Sequence, residues 1–340
     1  MSDRPRRVLI VLLGALGDVV RGMHIVDALK SADQNTHITW LVEPGCAGIV
    51  NFHPQIDSVL VFNRAQGIRG LVALWRELNQ QRFDITLDLQ RHLKSGFFSW
   101  LSRAPRRIGF HRKDSKEGNW IFNTEHISAH GESISKVEHY FLFLERLGIP
   151  CPAVLRSGLE HISLESISAP WKEELTRDYI ALVLGSSWES KDWPEEGYRE
   201  LIKLLVGRTV VLVSDKTKVD LAGRLELIQG GARVVNLAGR TSLLELVALI
   251  RGAHRCVGPD SGPAHIAGAV GARHVTLFGP TPSVRNSPRG SEDLSISVDV
   301  GCAPCKRRVC PGLGKVCMRL IHPTAVLERI DIPDQQRAKG

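Results

Sequence analysis

Residues 258–280 read Gly-Pro-Asp-Ser-Gly-Pro-Ala-His-Ile-Ala-Gly-Ala-Val-Gly-Ala-Arg-His-Val-Thr-Leu-Phe-Gly-Pro, a strand end, an amphipathic helix and a second strand in one stretch. A helix opening at Ser261 turns its free backbone N–H groups and the positive end of its dipole toward whatever lies beyond the strand tips. That is an anion site, and Gly262 lets a phosphate approach the backbone. Asp260 or Ser261 reads equally as an ordinary helix cap. A second loop, Leu184 to Pro194, places the hydroxyls of Ser186 and Ser187 and the ammonium of Lys191 after another strand, where they suit a pyrophosphate; Lys191 is otherwise a solvated loop cation. A third segment, Leu13-Gly14-Ala15-Leu16-Gly17-Asp18, ends the first strand with two glycines and an acid at a helix start. Asp18 beside helical N–H groups stays ionised, although a first-turn acid is also a common helix feature. The glycine spacing does not match Gly-x-Gly-x-x-Gly, so a dinucleotide fingerprint fits poorly.

Short β-branched runs alternating with helical patterns position these segments. Strands are expected at Val8–Leu13, His37–Val42, Ser58–Phe62, Phe83–Leu87 and Arg107–Gly109, with helices including Val19–Lys30, Leu71–Gln81 and Lys136–Leu147. After a Pro-rich stretch from Ile149 to Pro170, the pattern restarts with strands at Tyr179–Leu184, Thr209–Val213, Arg233–Asn236, Arg255–Val257 and His274–Phe278. Such alternation predicts βαβ units: an α/β chain of two doubly wound, Rossmann-like domains facing a cleft, with ligands beyond the strand carboxyl ends. The expected boundaries are 1–165, 166–322, and a helix and tail at 323–340.

A length of 340 residues with 43% hydrophobic content suits two cores. No apolar run approaches a transmembrane length, and no secretory leader is legible, so the expectation is a soluble cytoplasmic protein. A net charge of +8 implies anionic partners, and Arg103, Arg106, Arg107, Arg112 and Lys113 crowd one segment. Aromatic content of 6%, with no stacking platform, argues against single-stranded nucleic acid. Cys302, Cys305, Cys310 and Cys317 have the density of a four-thiolate site, zinc or iron being open; packed reduced thiols are the alternative.

The strand–Gly-x-x-Gly-Asp start, the Lys-Asp-Trp-Pro loop (191–194) and Asp-Ser-Gly-Pro-Ala-His running to Leu-Phe-Gly-Pro-Thr together resemble the glycosyltransferase family 9 heptosyltransferases, inverting enzymes of the GT-B fold. The resemblance spans about the whole chain. It implies Asp18 as general base, Lys191 on the donor phosphates, and Asp260, Ser261 and Gly262 cradling the pyrophosphate, with His265 one turn on. Asp215 matches the family's acidic ribose contact only in region, because Lys216 and Lys218 surround it. The chain holds no Asp-x-Asp for a catalytic metal, so Lys191 and the helix at Ser261 would stand in for one, and no catalytic cofactor is expected. On the acceptor side the resemblance points to Gln90, Lys94 and Ser95, and with them Gly17, Arg107 and Arg112. These residue types suit an anionic, lipid-linked acceptor such as a Kdo-bearing lipid A core, reached by peripheral contact with the inner membrane. The implied reaction is transfer of heptose from ADP-heptose to the inner core of lipopolysaccharide. Alternatives are a protein acceptor, a nucleotide-sugar epimerase of the same architecture, or a metal- or nucleic-acid-binding protein.

Overall fold

The computed structural model of the protein describes residues 6–175, 178–312 and 314–333. The chain divides into two compact units, Met1–His161 and Ile162–Gly340. In the first unit the strands are β1 (Arg7–Val11), β2 (His37–Val42), β3 (Ser58–Val61), β4 (Ile85–Asp88), β5 (Arg106–Gly109) and β6 (Glu125–His126). Its helices are α1 (Leu16–Ala32), α2 (Pro44–Asn51), α3 (Gly67–Gln80), α4 (Leu93–Leu101) and α5 (Lys136–Arg146). The strands form one parallel sheet in the order β3-β2-β1-β4-β5-β6. β1 is central, with Val8 beside Ile38 of β2 and Ile85 of β4. It reads as an unbroken apolar run because helices cover both its faces.

Chain direction reverses across the sheet after β3, so right-handed crossovers carry α3 and α4 to the face opposite α1 and α2. One core cluster accordingly joins Leu74 and Leu78 of α3, Phe98 of α4 and the strand residues Leu9, Val11 and Leu41. α1 packs against α5 on the other face and is buried nearly all round, Arg21 and His24 included.

The second unit repeats the plan. Its strands are β7 (Tyr179–Val183), β8 (Thr209–Val213), β9 (Arg233–Asn236), β10 (Arg255–Pro259), β11 (His274–Phe278) and β12 (Ile296–Ser297), in the order β12-β11-β10-β7-β8-β9. Its helices are α6 (Glu195–Leu204), α7 (Val219–Glu226), α8 (Leu243–Gly252), α9 (Gly262–Ala269), α10 (Ser283–Asn286), α11 (Val316–Arg319) and α12 (Pro323–Ile330). β7, β8, β10 and β11 are buried along their whole length. α12 is no loose tail: Val326 and Ile330 sit in the same core as Tyr198 and Leu201 of α6. The expected tail from residue 334 onward lies outside the described residues.

Two expectations change. The short strands β6 and β12, two residues each, carry too little pattern to be read from sequence. α9 is not amphipathic: Ala264, His265, Ile266, Ala267 and Ala269 are all buried, and it is an interior helix between sheet and loops. No helix among the described residues is long and apolar enough to cross a membrane.

Candidate active site

In both sheets the strand order reverses beside the first strand, and there the crossover helices leave for opposite faces. This opens a crevice at the strand carboxyl ends, between β1 and β4 in one unit and β7 and β10 in the other. The candidate residues gather at these two points.

In the first unit, β1 runs through Leu12-Leu13-Gly14-Ala15 into α1, and Asp18 is the third residue of that helix. A side chain added at Gly14 would meet nothing within 4 Å, so the turn is open. Gly17 is buried at the helix start. The Asp18 carboxylate takes a hydrogen bond from Arg21, one turn along α1, and pairs with Lys136 Nζ of α5 at 3.3 Å. Burial alone would raise its pKa, but Lys136 and then Arg21 hold it well below the usual carboxylate range. The side chain keeps 31% of its surface exposed, so an ionised oxygen faces solvent.

Gln90 clamps the tip that carries Asp18. Its Oε1 accepts from Leu13 N (3.0 Å) and its Nε2 donates to the carbonyl of Gly14 (3.1 Å). Beneath it lies Asp88, the last residue of β4, fully buried and receiving Asn119 Nδ2 at 2.6 Å and the Gln90 N–H at 3.2 Å. Burial pushes the Asp88 carboxyl up to about 7 despite these donors.

Several acceptor-side expectations are corrected here. Ser95 is wholly buried, its hydroxyl shared between the carbonyls of Gln90 and His92. It shapes the β4–α4 loop and presents nothing to a ligand. The Arg107 guanidinium donates to the carbonyls of Phe122 (3.0 Å) and Ala104 (2.8 Å), toward the start of β5 and away from its tip. Gln90 acts on backbone, as described. Lys94 remains half-exposed and pairs with Glu43 at 2.6 Å, while Arg112 is exposed in the loop after β5.

In the second unit, Asp260 follows β10 and gathers three elements. Its Oδ2 accepts from Lys191 Nζ (2.8 Å) and from Thr281 Oγ1 (2.8 Å), and its Oδ1 lies 3.4 Å from His265 Nε2. Burial would raise this carboxyl too, but His265 and Lys191 hold it well below the usual range. Lys191 also donates to the Asp260 carbonyl at 3.1 Å and stands 4.6 Å over the Trp188 ring. Ser261 is the residue before α9, yet its hydroxyl makes no cap bond. That oxygen is buried without a hydrogen-bond partner among the described residues, at a helix end whose first N–H belongs to Gly262. The plain-cap expectation for Ser261 therefore fails.

The neighbouring loop is ordered by its own polar atoms. Ser186 Oγ bonds the carbonyl and N–H of Trp188 at 2.9 and 3.1 Å, while its N–H donates to Asp192 at 2.8 Å. Ser187 is exposed. Asp215 is exposed and turns one carboxylate oxygen, Oδ1, into its own turn, accepting from Thr217 N (2.8 Å) and Thr217 Oγ1 (2.5 Å).

Sequence reasoning missed Arg21, Lys136, Thr281 and Lys218. Arg21 lies three residues from Asp18 on one helix, a spacing that could have flagged it. Lys218 reaches Asp192 Oδ2 at 2.6 Å and packs its stem against Gly185. Lys136 is 118 positions from its partner, and no local signal could find it.

The structure lends the four-thiolate expectation no support. Cys302, Cys305, Cys310 and Cys317 are free thiols around one cavity of about 250 Å³, shared with Pro280, Lys315 and Val316. Among the described residues no group of three or more His, Cys, Asp or Glu is arranged to hold a metal ion. A zinc or iron tetrahedron needs sulfurs within about 2.3 Å of one point. Here Cys310 Sγ instead accepts from Lys315 N at 3.4 Å, and burial pushes the Cys317 thiol up from its ordinary value.

Comparison with known proteins gives the family and the fold. The sequence profile of glycosyltransferase family 9 (heptosyltransferase) matches residues 71–315. The chain is 28% identical over 304 residues to the lipopolysaccharide core heptosyltransferase OpsX of Haemophilus influenzae, covering 87% of this chain and 86% of the relative. The crystal structure of a family 9 glycosyl transferase from Veillonella parvula superposes with a TM-score of 0.80 at 21% identity, covering 97% of both chains. E. coli heptosyltransferase WaaC, solved with ADP-2-deoxy-2-fluoro heptose, gives a TM-score of 0.75 at 23% identity, covering 95% of this chain and 98% of that one. The fold is thus GT-B.

Proposed function

The chain belongs to glycosyltransferase family 9, and we propose that it transfers a heptose from ADP-heptose to the inner core of lipopolysaccharide, with inversion and without a catalytic metal. The observation that carries this reading is the polar cluster at the β10 tip. A buried carboxylate holds Lys191 beside the open N-terminus of α9 and the unpartnered Ser261 hydroxyl. A diphosphate at that end meets helical N–H groups, the Gly262 backbone, the Ser261 hydroxyl and an ammonium already fixed in place. Those are the groups that stabilise a departing pyrophosphate. Asp260 in this account is a positioning residue, buried and committed to Lys191, Thr281 and His265.

Asp18 is the base. It is ionised at neutral pH and partly exposed, and it takes the proton of the acceptor hydroxyl as that oxygen attacks the anomeric carbon. Inversion follows from a single displacement with base and leaving group on opposite sides of the sugar. In this reading residues 1–165 bind the acceptor and 166–322 the donor, with Lys94 and Arg112 supplying charge for an anionic acceptor. The names of the relatives support heptose and lipopolysaccharide as substrates.

Purified protein incubated with ADP-heptose and a Kdo-bearing lipid A acceptor in EDTA should yield acceptor heavier by one heptose, with ADP released. Consumption of the donor without an acceptor would favour epimerisation, and rescue only by added magnesium would end the metal-free reading.

A further inference from the structure

We propose that the outer face formed by α3 and α4 is a docking surface for an anionic phospholipid bilayer. α3 buries Leu74 and Leu78 against the sheet, but its apolar arc is wider than the core uses. Ile68, Val72 and Trp75, spaced i, i+4 and i+7, form a second stripe on the solvent side, with Ile68 81% and Trp75 43% exposed. α4 lies on the same face of the sheet and shares the core cluster with α3. It shows the same arrangement, with Leu93 and Trp100 exposed at i and i+7 and Phe97 stacked against Trp100. Exposed apolar stripes of this kind, on two helices that cover one face of the sheet, mark an interaction site.

Charge decides the partner. At 100° per residue Arg69 and Arg76 both lie along one edge of the solvent-side stripe of α3, while Glu77 falls on the side of the helix opposite that stripe. Neither arginine has an ion-pair partner among the described residues. A second copy of the same face would set arginine against arginine, and the whole chain carries +8. An anionic headgroup layer satisfies both features, because tryptophan favours the headgroup level and each basic side chain near such a surface adds attraction. Both helices begin at the strand carboxyl edge that carries Asp18, so a bilayer lying along them would offer a lipid-linked acceptor to that edge. In that last respect the inference rests on the proposed function.

Sedimentation of the full chain with phosphatidylcholine vesicles, with and without phosphatidylglycerol, tests it. The protein should pellet only with the anionic vesicles and be released by salt. The pairs Ile68→Ser/Trp75→Ser and Arg69→Gln/Arg76→Gln should each lower partitioning by about tenfold. Equal binding by the variants, or wild-type protein left in the supernatant, would overturn the proposal. So would light scattering that shows a wild-type dimer split by the first pair. Transfer to a deacylated, water-soluble acceptor separates the two ideas. It should be unchanged in both variants, and their loss of it would point to a perturbed site in place of a lost surface. Its absence in wild-type protein would sink the transferase reading and leave the docking surface standing.

Discussion

The strand-tip sites of the two units share a topology and differ in how each uses its aspartate. Asp18 and Asp260 both follow a central strand of a reversed-order sheet, and both are held below the usual carboxylate range by neighbouring cations. Asp260 is 5% exposed and its two oxygens are divided among Lys191, Thr281 and His265. Asp18 keeps 31% of its side chain open, with Arg21 and Lys136 both directed at one oxygen, Oδ1. In the proposed mechanism the second oxygen is the one an acceptor hydroxyl reaches. Equal charge and similar location would then give one carboxylate to meet substrate and one to build the wall behind it.

The largest effect that tests this contrast is on rate. Asp18→Asn should lower turnover by about 10²- to 10⁴-fold while leaving donor affinity, read by calorimetry, unchanged. Full activity in that variant would remove Asp18 from the chemistry. Asp260→Asn should show the opposite profile, a loss of stability. Lys191 is 13% exposed and would lose its buried counter-ion, which costs about 3–5 kcal/mol when such a pair is broken. A melt indistinguishable from wild type would show that the β10 tip does not depend on the pair.

A subtler test concerns the basicity of Asp18. Lys136 is the foremost cation holding its pKa down, so Lys136→Met should move the acid limb of the pH–rate profile upward, by about one unit for a partly exposed pair. An unmoved limb would leave Lys136 as a tie between α5 and α1 only.

A last effect is on the pH dependence of stability. The Asp88 carboxyl is raised to about 7, so between about pH 4 and 7 the folded chain holds a proton the unfolded chain has released, and stability falls as pH rises through that window. His53 and His274, lowered by burial to about 4 and about 3, act oppositely, losing stability as pH falls below about 6.5. Asp88→Asn removes only the first contribution. The difference between wild-type and variant unfolding free energies should slope by on the order of 1 kcal/mol per pH unit through the window, with the histidines cancelling. A flat difference would mean that Asp88 is ionised throughout.

Much of this was legible in the chain. Long apolar runs such as Val8–Leu13 and Tyr179–Leu184 announced strands buried on both faces, and the helical patterns between them announced parallel sheets. The segments at Asp18, Lys191 and Asp260 were found because residues at a strand end and helix start must lie at the carboxyl edge. Ser95 and Arg107, expected on the acceptor side, are instead bonded to backbone carbonyls. A hydroxyl, guanidinium or carboxylate in a loop has the same appearance whether it faces a ligand or satisfies neighbouring backbone. The cysteine cluster is a like case: spacing brings four thiols to one cavity, but it does not by itself gather them as the ligands of one ion.

The sequence by itself determined the two α/β halves, the strand tips and the residue types that could handle a diphosphate and a hydroxyl. These follow from local periodicity and from the obligations of helix ends, which short segments carry within themselves. Only the tertiary structure decided which aspartate is open and which is walled in, that Lys136 meets Asp18 across 118 positions, and that α3 and α4 share one outward face. Exposure, pairing and a common face depend on which distant elements the sheet order brings together, and no local run of residues contains that order.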